Sequence, residues 1–327
     1  IEIGLTPNRG DCQSIYGVAR DLSVYFDLEV KTLGSKEEEE KQPGVGRVLH
    51  LHGSEALDGS YMYKVFDNKE IDVPLLIQLR LGFAEIDNSC LLGKLIDYST
   101  YVTGVLLRAY NQSCFGAKDE KAKIAIAKDE NGLDAIFGLN GQKVAITGIT
   151  QIVECKATAM DERIIVEANY THPEIIASRS ANKKLGGDKH LYRSSRGSEP
   201  HLAFGLNYFF KMLTKRSQVM PYADSQQITQ DFEEKIINIH QSELTQMIGE
   251  EIPKSRIIKI LKHLGFGVNF AFEQDVMNVK IPQFRSDVLN TQDICEEIVR
   301  IVGIDNITSK PFVFAEQLKI NQPYLNF

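Results

Sequence analysis

Between Thr291 and Val302 the apolar residues Ile294, Cys295, Ile298, Ile301 and Val302 recur at helical intervals, which predicts an amphipathic helix. Asn290 or Thr291 can cap its start, and Gly303 stands where a left-handed residue closes a helix. Near the other end, Ile15, Val18, Ala19, Leu22, Tyr25 and Phe26 form a second helical stripe behind a Pro7-Asn8 turn, with Asp11 as the expected N-cap. From 47 to 220 the periodicity changes. VLHLH, AKIAIA, VAITGI and RIIVEANY read as strands, mixed with helical runs near Leu75–Leu81 and Pro173–Ala181. Beyond Gln227, IINIH reads as a short strand. Ser242–Ile248 and Lys254–Leu264 read as helices closed by Gly249 and Gly265, and FGVNF and VMNVKI as a hairpin-like pair.

These elements predict an α+β chain: a mixed-sheet domain over 47–225, then a small winged-helix-like helical domain over 226–310. Residues 1–46 form a partial N-terminal segment that ends in the charged, Pro/Gly-rich linker SKEEEEKQPGVG, and 311–327 read as a further linker.

With 327 residues and 43% hydrophobic content the chain can build two or three cores. It has no apolar run of membrane-spanning length and no signal-peptide pattern, so a cytoplasmic protein without a membrane partner is expected. Five scattered cysteines lack C-x-x-C spacing and are expected as reduced thiols. A net charge of −7 argues against a surface that grips nucleic acid unaided. The seven histidines lack metalloprotease spacing, and there is no P-loop or G-x-S-x-G.

On the last helix Asp293, Glu296 and Glu297 share the face opposite the apolar stripe, and Asp287 lies just upstream. A solvated face paired with Arg300 accounts for this, and so does a hard-cation site, because Mg²⁺ takes oxygen ligands and keeps several waters. Spacing leaves both open.

The run from Pro282 to Ile307, P-x-F-R-x-D followed by Asp293, Glu296-Glu297, Arg300, Gly303 and Asn306-Ile307, resembles the end of a module in the β subunit of bacterial phenylalanyl-tRNA synthetase. The segment TPNRGDCQSIYGVARD near the N-terminus resembles a second motif of that family, in the same order. The resemblance implies Mg²⁺ on Asp287, Asp293, Glu296 and Glu297, shared with a catalytic α subunit that uses ATP. It further implies an α2β2 assembly acting on tRNA(Phe), and a chain that is an internal part of a longer polypeptide whose N-terminal helix exposes an unpartnered apolar face. Ser286 stands where the family has an aromatic residue.

By position the middle domain corresponds to the family's editing module, which hydrolyses tyrosine wrongly joined to tRNA(Phe). A pocket that accepts phenylalanine rejects an added hydroxyl only about 10²-fold, so a second site that reads the phenol is useful. Glu167 in RIIVEANYTHP matches the family's phenol-reading glutamate; an ordinary capping or salt-bridged residue is the bland account. The remaining pocket departs from the family. Gly104-Val105-Leu106-Leu107-Arg108-Ala109-Tyr110-Asn111 stands for G-Q-P-x-H-[AC]-F-D, TGITQI for a glycine-rich run, and Asp188 and His190 for small residues. Larger groups in that space predict weakened or lost editing. Lys183, Lys184, Lys189, Arg193 and Arg196, with His190, are the RNA-contact candidates against the reading of a soluble lysine loop. The alternative for the whole chain is a non-catalytic paralogue or a tRNA- or protein-binding module.

Overall fold

The computed structural model describes residues 2–31, 33, 42–117, 119–180, 186–271 and 276–308. The acidic run at 37–40, Lys183, Lys184 and the linker 311–327 lie outside them.

After a 3-10 turn at Gly10–Cys12, helix α1 spans Ile15–Tyr25. The middle of the chain runs β1 (Leu49–Gly53), β2 (Gly59–Glu70), α2 (Leu75–Phe83), α3 (Leu91–Thr103) and β3 (Leu106–Asn111). It continues through β4 (Ala122–Lys128), β5 (Asp134–Phe137), β6 (Lys143–Ile146), β7 (Thr150–Gln151) and β8 (Arg163–Thr171). Then come α4 (Pro173–Ser180), α5 (Lys189–Ser194), α6 (Leu202–Thr214), β9 (Gln218–Pro221) and β10 (Gln226–Ile228). The last unit comprises β11 (Ile236–His240), α7 (Gln241–Ile248), α8 (Lys254–His263), β12 (Gly267–Ala271), β13 (Val276–Lys280) and α9 (Thr291–Val302).

The fold is α+β with three layers in its middle. One sheet, in the order β10-β2-β8-β3 with β9 also on β2, is antiparallel throughout. The other, β1-β4-β5-β6-β7, is mixed, because β1 and β4 run parallel. Successive side chains of a strand point to opposite faces, so β8 serves two cores. Ile164, Val166, Ala168 and Tyr170 pack under α3 and α6, against Leu92, Leu95, Leu206 and Phe209. Ile165 faces the second sheet, with Tyr61, Tyr63, Tyr110, Ile124 and Ile136.

The last unit has a core of its own, in which Ile257, Leu261, Val279, Ile294 and Ile298 are buried. The expected hairpin of β12 and β13 is part of a three-stranded sheet, with β11 on the other edge of β13. Asn290 caps α9: its Oδ1 accepts from the Asp293 amide at 3.1 Å, and Asp293 reciprocates by accepting from the Asn290 amide at 3.0 Å.

Two expectations are corrected. Ser14, not Asp11, caps α1, accepting from the Gly17 amide at 3.0 Å, while Asp11 is bound to Arg9. Cys114 and Cys155 form a disulfide, with Cα atoms 5.9 Å apart; Cys12, Cys90 and Cys295 are free thiols. The bridge joins the turn after β3 to the turn after β7, and so ties the two sheets together. The expected apolar face on α1 is present: Ile15, Leu22, Tyr25 and Phe26 are exposed, and Val24 alone of its large apolar residues is buried, in the core of the last unit.

Closing a loop of this span restricts the unfolded chain, so reduction is expected to destabilise the middle domain by roughly 2–4 kcal/mol. Denaturant unfolding with and without a thiol reductant checks this; superimposable curves would show that the bridge carries no stability.

Candidate functional site

The β3–β8 register places Arg108 opposite Glu167, and the β2–β8 register places Tyr63 opposite the same glutamate. Alternation then directs Arg108, Tyr110, Glu167 and Asn169 into the space between the two sheets. Glu167 lies in mid-strand, fully buried, rather than at a strand end. Its Oε2 accepts from the Tyr110 hydroxyl and its Oε1 from Asn169 Nδ2 at 2.9 Å. Burial pushes the Glu167 carboxyl above its ordinary range, against the opposing pull of Tyr110, Arg108 and Asn169.

Arg108 is 3% exposed and makes a two-pronged bridge to Asp188, at 2.7 and 3.1 Å. Asp188 also caps α5 through the His190 amide. His190 is buried; burial, with Arg108, Lys189, Arg193 and Lys156 around it, drives its pKa well below the usual value, so the ring is neutral. Arg108 Nε and His190 Nδ1 have no hydrogen-bond partner among the described residues. A cavity of about 500 Å³ opens beside them, lined also by Asp97, Gln151, Lys156 and Lys189.

The substitutions in the glycine-rich run occupy space with defined contacts. Thr147 donates to the Asp134 carbonyl at 3.0 Å, and Gln151 donates through Nε2 to the Ala109 carbonyl at 2.9 Å. Gly148 keeps a left-handed backbone (φ +68°), and a Cβ there would meet Ser194 at 3.2 Å.

Among the described residues, three of the basic candidates have partners within the protein. Lys189 pairs with Asp97, Arg193 turns inward to the Gln13 carbonyl at 2.6 Å, and Arg196 lies on the Tyr192 ring.

The four acidic candidates Asp287, Asp293, Glu296 and Glu297 line one pocket of about 710 Å³, together with Arg9, Arg285 and Arg300. Both oxygens of Asp287 and Glu297 and one oxygen of Asp293 are engaged, whereas Glu296 is exposed. Arg285, 3% exposed, grips Asp287 at 2.8 and 2.9 Å and Glu297 at 2.9 Å. Arg300 bonds Glu297 at 2.5 Å and continues to Asp21 at 2.7 and 3.0 Å, and Asp21 meets Arg9 at 3.0 Å. Asp293 is taken by the amides of Leu289 and Asn290. Two guanidiniums, Arg285 and Arg300, therefore supply positive charge to Asp287 and Glu297. Among the described residues no group of three or more acidic, histidine or cysteine side chains is arranged to hold a metal ion.

This lattice also seats the N-terminal segment on the last unit. Gly10 fits only without a side chain, since a Cβ would lie 2.0 Å from the Arg196 carbonyl oxygen, and Arg20 pairs with Glu199 at 3.2 Å while stacking on Phe284. Sequence reasoning missed Arg9, Asp21, Arg285 and Tyr110 as partners. Arg285 stood inside the quoted motif, and the period-two alternation that carries Glu167 could have found Tyr110.

Residues 237–304, from β11 to the end of α9, match the tRNA synthetase B5 domain, so this unit is a domain of synthetase type. Over its whole length the chain is similar to β subunits of phenylalanine-tRNA ligase. It is 38% identical over 328 residues to that of Sulfurimonas denitrificans and 40% identical over 328 residues to that of Campylobacter jejuni, covering 100% of this chain and 42% of each relative. The Helicobacter pylori β subunit is 30% identical over 331 residues, 99% of this chain and 41% of the relative. The chain thus spans about two-fifths of the length of the curated relatives it matches. An N-terminal fragment of the phenylalanyl-tRNA synthetase β subunit from Pyrococcus horikoshii covers 90% of this chain and 84% of its own, at 15% identity and a TM-score of 0.40; nothing is built on that likeness.

The Arg285 lattice has a pH signature. Burial alone would raise the Glu297 carboxyl, but Arg285 and Arg300 hold it at about 2, below its ordinary 4.5. A depressed carboxyl stabilises the fold above the unfolded pKa and loses that contribution as pH falls through the folded one. Roughly 3 kcal/mol should therefore disappear between about pH 4.5 and pH 2. Glu297→Gln should flatten that limb of the stability profile, and an unchanged acid limb would refute the assignment. Arg285→Ala, which strands two buried carboxylates, is expected to cost about 3–5 kcal/mol in urea unfolding.

Proposed function

We propose that the chain works as part of the β subunit of a phenylalanine-tRNA ligase, supporting ATP-dependent attachment of phenylalanine to tRNA(Phe) by an α subunit. The observation that carries this reading is the unbroken match to such β subunits across the whole chain, including the B5 domain at 237–304. In that role the chain supplies architecture: the ion lattice holds the N-terminal segment and the B5 domain as one surface against which a catalytic partner can be placed. Amino-acid activation belongs to the partner.

In this reading the middle domain is an editing module that keeps its fold and has weakened or lost hydrolysis. Hydrolysis of a tyrosyl ester needs room for the substrate ring, an acceptor for its phenol and a path for water. Arg108 paired to Asp188, the buried His190 and the side chain of Gln151 line the cavity on the Glu167 side of the sheet in place of smaller groups. The tRNA contacts of the assembly then rest on local features such as Arg196 rather than on a continuous basic face.

Co-expression of the full-length protein with an α subunit tests the first part: a stable complex that charges tRNA(Phe) is expected, and absence of both complex and charging would favour a paralogue without an aminoacylation role. For the module, tyrosyl-tRNA(Phe) supplied to the assembled enzyme should be hydrolysed no faster than by a Glu167→Gln variant. Rapid Glu167-dependent hydrolysis would overturn the loss of editing.

A further inference from the structure

Glu167 has two carboxylate oxygens, and the protein has used both: Asn169 donates to one, and the Tyr110 phenol donates to the other. All three side chains are buried, with Glu167 and Tyr110 at 0% exposure. The contact follows from register. Arg108 stands opposite Glu167 on β3, and Tyr110, two residues on, faces the same side and reaches back along the strand pair. Burial pushes the Tyr110 hydroxyl well above its ordinary range, which keeps the phenol protonated as the donor and leaves Glu167 as the acceptor. Phe115 packs edge-on against the Tyr110 ring, with centroids 5.7 Å apart, and fixes it in place. The bond is not a generic consequence of tyrosines near Glu167: Tyr63, opposite the same glutamate on β2, has a buried hydroxyl without a partner among the described residues.

We propose that Tyr110 is a specificity-determining residue that fills, from within the chain, the acceptor through which Glu167 would otherwise take the phenol of an incoming tyrosyl group. This rests on reading the middle domain as an editing module. A phenol on the chain is covalently tethered, so it competes at an effective concentration no free substrate matches. An external tyrosyl group must break a buried hydrogen bond to gain one, with no net advantage over a phenylalanyl group. The inter-sheet site is thereby blind to the hydroxyl that separates the two amino acids.

The test compares hydrolysis of tyrosyl-tRNA(Phe) and phenylalanyl-tRNA(Phe) by the full enzyme assembled with its α subunit. Tyr110→Phe keeps the ring and removes only the donor, and Arg108 and Asp188 are the same in both proteins. Wild type should show no preference. Tyr110→Phe should raise the tyrosyl-over-phenylalanyl rate ratio by roughly 10- to 100-fold, the cost of leaving one buried acceptor unpaired. Glu167→Gln added to that variant should abolish the gain. If Tyr110→Phe does not assemble, Tyr110→Leu provides the same comparison. A ratio unchanged in a folded, assembled variant overturns the proposal while leaving the loss of editing intact; Glu167-dependent hydrolysis by wild type overturns the loss of editing itself.

Discussion

The middle of the molecule depends on β8 being buried on both faces. From Ile164 to Thr171 every residue of the strand is buried, so each side chain must match one of two neighbours: the helices α3 and α6, or the second sheet. The helix-facing set is apolar throughout and gains from removal of apolar surface from water. The sheet-facing set contains Glu167, Asn169 and Thr171, and a buried polar group costs several kcal/mol unless it is hydrogen-bonded. That requirement dictates the polar content of the neighbouring strand. Tyr110 and Arg108 on β3 answer Glu167, and Asp188 then answers Arg108. One carboxylate on a doubly buried strand is thus answered by residues of β3 and, through Arg108, by the cap of α5.

The same logic, applied to charge rather than to a strand, organises the B5 domain. Buried carboxylates at 287 and 297 demand compensation, and an ion or a guanidinium can supply it. The resemblance implies magnesium, whereas the structure provides Arg285 between the two acids and Arg300 on the outer side of Glu297. A guanidinium has the additional property of planar, two-pronged bonding, which fixes the loop at 285–287 relative to α9 without demanding octahedral geometry.

Much of the architecture was legible in the residues. RIIVEANY as a strand, the Asn290 start of α9, its apolar stripe and the glycine-closed helices α7 and α8 are set by local periodicity and caps, which one sequence carries in full. Helices α3 and α6 were not legible: LLGKLIDYSTYVT and LAFGLNYFFKMLT are apolar or β-branched on most sides, because both lie deep against the sheet and present no clean polar face. Strand β2 was hidden for the same reason, its inner and outer faces both being buried. The Cys114–Cys155 bridge joins positions 41 residues apart with no motif spacing, and only the meeting of the two sheets brings them together. At the site, residue types pointed to Glu167 and to the acidic helix, but pairing is a tertiary property. Neither Tyr110 nor Asp21 could be assigned to its partner before strand register and helix docking were known.

The two polar centres are joined mechanically through the N-terminal segment and the end of β8. Arg193, which follows α5's Asp188 cap and His190, donates to the Gln13 carbonyl at 2.6 Å, and Gly10 lies against the Arg196 backbone. From the same segment Arg9 and Asp21 run into Arg300 and so to Glu297 and Arg285. On the other side Tyr170, three residues beyond Glu167 on β8, donates to the Gln283 carbonyl at 3.3 Å, two residues before Arg285. Residues 9–21 are thus held on the middle domain by the Gly10 backbone contact, the Arg193 guanidinium and the Arg20–Glu199 ion pair, and on the B5 domain by the Arg9–Asp21–Arg300 chain of charges. Protonation of Glu297 removes the partner that Arg300 shares between it and Asp21. Acid should therefore weaken the hold of the B5 domain on the segment at Arg300.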